Sequence, residues 1–176
     1  TAQLNAQFAE MQAGIDLQQA KLDQLLAGAS AEDIMISEND VASAKQDLDN
    51  AYDNALTVLD SAYTKMYNAG TAVLYLQNNY FFSQDQEAVK VSENKSAIDK
   101  STADAKKYLG YAGAAGPEGL MIIIDHIVTG LNDTHSALNV IRAQCDSGTY
   151  YAKVSSTDKT SLDTHKANIN TALTSV

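Results

Sequence analysis

One proline, one cysteine, one arginine and no tryptophan stand in a chain of 176 residues, and each scarcity narrows what the protein can be. A single proline and nine glycines leave little to interrupt long helices. The lone thiol, Cys145, cannot close an internal disulfide, and its place on a helical seam marks it as a small buried hydrophobe. Arg142 is the only arginine, and 12 basic residues face 22 acidic ones, for a net charge of -10. Nucleic-acid binding needs clustered Lys and Arg, so it is not expected here. An anionic membrane surface would repel the chain for the same reason. No apolar run approaches the roughly 20 residues of a membrane span. The longest, Leu120–Ile124, is stopped by Asp125 and His126.

Catalytic and cofactor signatures are also missing. There is no Gly-rich phosphate loop behind a strand, no Gly-x-Ser-x-Gly elbow, no His-Glu-x-x-His pair and no Glu-x-x-His pair of the di-iron kind. No cofactor and no enzymatic activity are expected on these grounds. The low Arg content and the many Asn, Ser, Thr and Tyr residues favour an extracellular or periplasmic setting.

What is present is heptad spacing. Leu4, Phe8, Met11, Ile15, Gln18, Leu22 and Leu25 follow at alternating intervals of four and three. Leu120, Ile124, Ile127, Leu131, Thr134, Leu138, Ile141 and Cys145 do the same. Such spacing places one residue per turn on a single seam, which is hidden only by packing helix on helix. The expected fold is therefore all-α: an elongated antiparallel bundle of about five helices with coiled-coil-like packing and one long central helix.

The first helix is expected from Leu4 to Ala27, closed by Gly28. Ile34, Met35 and Ile36 read as an apolar plug in the linker. Ser37 reads as the N-cap of the second helix, ahead of Glu38 and Asp40 at the positive end of its dipole. That helix carries a seam of Val41, Ala44, Leu48, Ala51, Ala55, Val58 and Ala62, then shifts to Met66, Ala69, Val73, Leu76 and Tyr80, with Gly70 as a candidate kink. It would hold on the order of 45 residues and reach roughly 65 Å. Ser83–Gln86 resembles a capping box for a third helix along Ala88, Val91, Lys95, Ile98, Thr102, Ala105, Leu109 and Ala112. Gly113–Glu118 is the clearest break, and Pro117 suits the first turn of a fourth helix that ends near Asp146. A loop carrying Tyr150 and Tyr151 leads to a fifth helix with Leu162, His165, Ile169, Ala172 and Val176 on its seam. One domain over 1–176 is expected, in two tiers: 1–60 with 157–176, and 61–150.

Three function classes follow. The leading one is a non-enzymatic interaction module whose terminal seams (Leu4, Phe8, Met11 and Ile15, or Leu162, Ile169 and Val176) dock a protein partner or a second copy. Uncapped seams at both ends fit a module set into a longer coiled coil. The second is a small-molecule site beside Tyr63, Tyr67 and Tyr75. There the architecture is similar to helical sensor modules of bacterial receptors, and the likeness implies a ligand held between helices. The third is a metal site in which the repeated Asp-Thr-His triplets bring together Asp133, His135, Asp163 and His165.

Overall fold

The computed structural model describes the backbone of residues 2–176 and the side chains of 11–112, 116 and 119–176. Its regular structure is helical throughout: α1 (Ala2–Ala27), α2 (Ala31–Asn79), α3 (Gln86–Gly110), α4 (Ala112–Gln144), α5 (Tyr150–Lys153) and α6 (Ser156–Ser175). The all-α expectation holds, with α2 as the long helix. The chain divides into two compact units, residues 1–49 and 50–176. The dividing point falls inside α2, and α6 belongs to the second unit.

In the first unit α1 ends where expected, at Gly28, whose φ of 74° is the left-handed value that glycine tolerates best. The start of α2 differs from the sequence reading. Ser30 is the cap: its hydroxyl accepts from the Asp33 amide at 3.1 Å, and Asp33 accepts from the Ser30 amide at 3.2 Å. This reciprocal box places Ser37 in the body of the helix. Ile34, Met35 and Ile36 are helical and exposed, so they plug nothing. The spacing signal at Ser37 is outweighed by a box that begins about two helical turns earlier, in which Asp takes the part usual for Glu or Gln.

In the second unit the core is built from one stripe of each long helix. The buried face of α2 runs Leu59, Ala62, Met66, Ala69, Gly70, Val73 and Leu76. Facing it are Ala88, Val91, Ile98, Ser101 and Ala105 of α3, and Ile123, Ile127, Leu131, Thr134, Leu138 and Ile141 of α4 with its C-cap Cys145. Leu162, Ile169 and Ala172 of α6 complete it. Helix α2 continues through Gly70. The missing side chain there serves approach: a Cβ would lie 3.3 Å from Cγ2 of Ile98. Gly130 does likewise on α4, where a Cβ would meet Met66 Sδ at 3.3 Å and the Ser101 carbonyl at 3.4 Å.

Helices α3 and α4 form an antiparallel hairpin, bonded across by Ser101 to Asp133 and by Asp104 to His126. The chain turns between them at Tyr111, and α4 is then kinked near its start at Gly116, whose φ of 58° and ψ of -169° belong to a region open to glycine alone. Cys145 is fully buried, and that burial pushes its thiol pKa up to about 11, so it is inert packing as expected. No described helix is long and apolar enough to cross a membrane.

One end of the second unit is closed by a polar-aromatic plug at the segment expected to be a loop. Tyr150, buried at the start of α5, stacks on Phe81 with ring centroids 4.3 Å apart. Its hydroxyl donates to Asp85 at 2.6 Å, and the Ser83 hydroxyl donates to the same carboxylate at 2.6 Å. Asp85 also caps α3 by accepting from the Ala88 amide at 2.8 Å. Close by, Tyr80 donates to Asp158, itself bonded to the α6 cap Ser155.

The bonds from Ser83, Tyr150 and the Ala88 amide, in that order, hold the Asp85 carboxyl below its usual range. A depressed carboxyl contributes stability that is present above its unfolded pKa of about 3.9 and is lost as pH falls through the lower folded value. Asp85→Asn is therefore expected to be less stable than the wild type at neutral pH, with the gap narrowing below about pH 4. Urea melts at neutral and acid pH check this, and a gap that stays constant would remove Asp85 from the account.

Candidate functional site

Heptad seams in the two units have opposite fates. In the second unit they are buried or half-buried from Ala55 onward. In the first, every described side chain, from Met11 to Asp49, is exposed. Met11, Ile15, Leu22 and Leu25 on α1 are 67%, 62%, 49% and 83% exposed, and Ile34, Val41 and Leu48 on α2 are 50%, 54% and 53% exposed. Neither seam covers the other. A shallow apolar strip lies along α1 at Met11, Gly14, Ile15, Gln18 and Leu22. Along α2 an open groove of about 550 Å³ has Ile34, Ser37, Val41 and Ala42 as its floor and Asp33, Glu38 and Lys45 along its walls.

Of the interface residues expected from sequence, Met11 and Ile15 lie on this open surface. Leu4 and Phe8 lie outside the described side chains. The C-terminal set is a correction: Leu162 and Ile169 are fully buried, and Val176 packs half-buried against the core. The reason is that α6 runs antiparallel to α4 and spends its seam there. Arg142 bonds Asp163 across the two helices at 3.2 Å, and Lys159 pairs with Asp146 at 2.8 Å.

The same register separates the two Asp-Thr-His triplets. With residue 142 beside 163 and 146 beside 159, His165 lies level with residue 140, about 7 Å along the axis from His135. Asp163 is engaged by Arg142 and Lys166. Asp133 faces α3, where it accepts from Ser101 at 3.4 Å. The expected metal set of Asp133, His135, Asp163 and His165 is therefore dispersed, and the described residues hold no group of three or more His, Cys, Asp or Glu able to hold a metal. Burial draws the His165 pKa below its ordinary value, as expected of a histidine packed as a neutral core-edge residue.

The tyrosines do not converge either. Tyr63 is half-buried against the core, its ring 6.4 Å from that of Tyr67. Tyr67 and Tyr75 project into solvent, so the three do not line a common enclosed site. They share a helix, and the α3–α4 hairpin covers only its other face.

A polar groove of about 650 Å³ lies between α3 and α4, lined by Asn94, Ser101, Asp104, His126, Asp133 and Ser136 among others. His126 stacks on Tyr108 with centroids 3.4 Å apart, and its Nδ1 lies 2.8 Å from Asp104. Ser101 bonds Asp133 rather than the imidazole, so the groove does not assemble a serine–histidine–aspartate relay. The His126 contacts brace the hairpin. The sequence showed Asp125 beside His126, but its partner proved to be Asp104, 22 residues away. No protein-family model matches the chain, and neither a curated protein nor a solved structure matches it.

Proposed function

We propose that this chain is a non-enzymatic assembly module that offers α1 and the first part of α2 as docking seams for another protein. One observation carries the reading: a heptad-spaced apolar series, Met11 to Leu48, stands open to solvent in a chain that buries the same pattern elsewhere. Helices in water draw most of their stability from packing an apolar face. Each large residue of these seams would contribute about 1.5–3 kcal/mol on full burial, so a partner helix has a driving force here. The acidic charge keeps such surfaces from clumping unspecifically. The Asn-, Ser-, Thr- and Tyr-rich composition with one arginine supports an extracytoplasmic place of work.

Hydrogen exchange on the purified chain tests the reading. Amides of residues 11–49 are expected to exchange by local opening, while those around Ile127–Leu138 wait for global unfolding. Equal protection in both regions without a partner would overturn it. So would native mass spectrometry that finds a monomer retaining a discrete small molecule, and loss of that mass in EDTA would point to a metal instead.

A further inference from the structure

We infer that the partner of the α2 seam is a basic amphipathic helix, with large apolar side chains on its own seam and Lys or Arg flanking them. The inference rests on the docking reading above and adds the chemistry of the occupant. In heptad terms Ile34, Val41 and Leu48 take the a positions, and Ser37 and Ala44 take d. The g positions before them are Asp33, Asp40 and Asp47, and the e positions are Glu38 and Lys45. Residues at e and g meet the partner's flanks and set which partner is accepted. Four of these five groups are carboxylates. Over residues 1–49, nine Asp and Glu stand against two Lys, a net charge of -7 out of the chain's -10.

A second copy of the seam fits badly. Antiparallel pairing sets g against g and e against e, which places aspartates opposite aspartates. Parallel pairing sets each g against the following e of the other copy. Asp40 then meets Lys45, but Asp33 meets Glu38. Both arrangements bring like charges together at the edge of an apolar contact, where they cost most. Ser37 and Ala44 add a second mismatch, because small residues facing their own copies leave the seam underfilled. A partner with Leu, Ile or Phe at those heights fills it, and cations on its flanks meet Asp33, Glu38, Asp40 and Asp47. Asp33 stays available to them as an anion, since its bonds from the Ser30 hydroxyl and amide favour the charged form.

The test uses the full chain and two synthetic amphipathic helices, both with Leu at every a and d. One carries Lys at every e and g, the other Glu. Fluorescence anisotropy is expected to show the Lys helix binding at least about tenfold more tightly than the Glu helix, with the difference shrinking as salt rises. Asp40→Lys with Asp47→Lys should narrow or invert the preference. Val41→Ser with Leu48→Ser, which leaves the charge unchanged, should abolish binding. Persistent binding by that double variant would mean attraction without a seam and would overturn the inference. Equal affinity for the two helices would overturn the charge argument while leaving the docking reading standing. Binding of neither would defeat both. A chain that self-associates through α2 and ignores the Lys helix would assign the surface to a second copy.

Discussion

Replacing Tyr150 with alanine is expected to lower the stability of the second unit by about 3–5 kcal/mol, the usual cost of removing a buried aromatic ring. Three losses coincide at that position. The ring leaves its stack on Phe81, the hydroxyl leaves Asp85, and the end of the core opens to water. Asp85 keeps Ser83 and the Ala88 amide, so the α3 cap itself should persist. Tyr150→Phe separates the terms: it retains the stack and should cost only about 0.5–1.5 kcal/mol, the net worth of one hydrogen bond. Thermal melts should place the alanine variant on the order of 10 °C or more below the wild type. Equal melting of the alanine and phenylalanine variants would show that the ring does not close the core.

Leu131→Ala is expected to cost about 2–5 kcal/mol, whereas Leu48→Ala should stay within about 0.5 kcal/mol of the wild type. Both are leucines on a heptad seam in a long helix. Leu131 is wholly enclosed in the core of the second unit, next to Gly130, whose missing side chain lets α4 approach Met66 and the α3 backbone. Truncation there leaves a cavity in a close-packed interior that relaxes little. Leu48 is half open to water, so its truncation removes little buried surface. Urea denaturation followed by far-ultraviolet circular dichroism measures both. A Leu48→Ala variant as unstable as Leu131→Ala would mean that α2's first seam is packed in the free protein, against the docking reading.

Much of the architecture was legible in the sequence because it is local. The end of α1 at Gly28, the buried stripe from Met66 to Leu76, the α3–α4 hairpin and the break near Gly116 follow from spacing and backbone preference. Misreadings occurred where two local signals competed. Ser37 and Ser30 are both plausible caps, and only the reciprocal bond with Asp33 distinguishes them. Tyr150 looked like loop because a four-residue helix is too short to show a period. Its partners Phe81, Ser83 and Asp85 are more than 60 residues away, beyond any pattern read along the chain. The dispersal of Asp133, His135, Asp163 and His165 depended on the α4–α6 register, which the Arg142–Asp163 and Lys159–Asp146 pairs reveal.

The sequence by itself determined that this protein is helical, acidic, poor in turns and lined with heptad seams, because helix formation and seam spacing depend on residues three and four apart. It could not rank one seam above another: Leu22, Leu48, Leu131 and Leu162 stand in equivalent patterns. Only the tertiary structure decided that Leu131 and Leu162 are enclosed while Leu22 and Leu48 face water. Burial is a property of what lies across the seam, and that neighbour is set by chain reversals, close glycine approaches and ion-pair register between segments far apart in sequence.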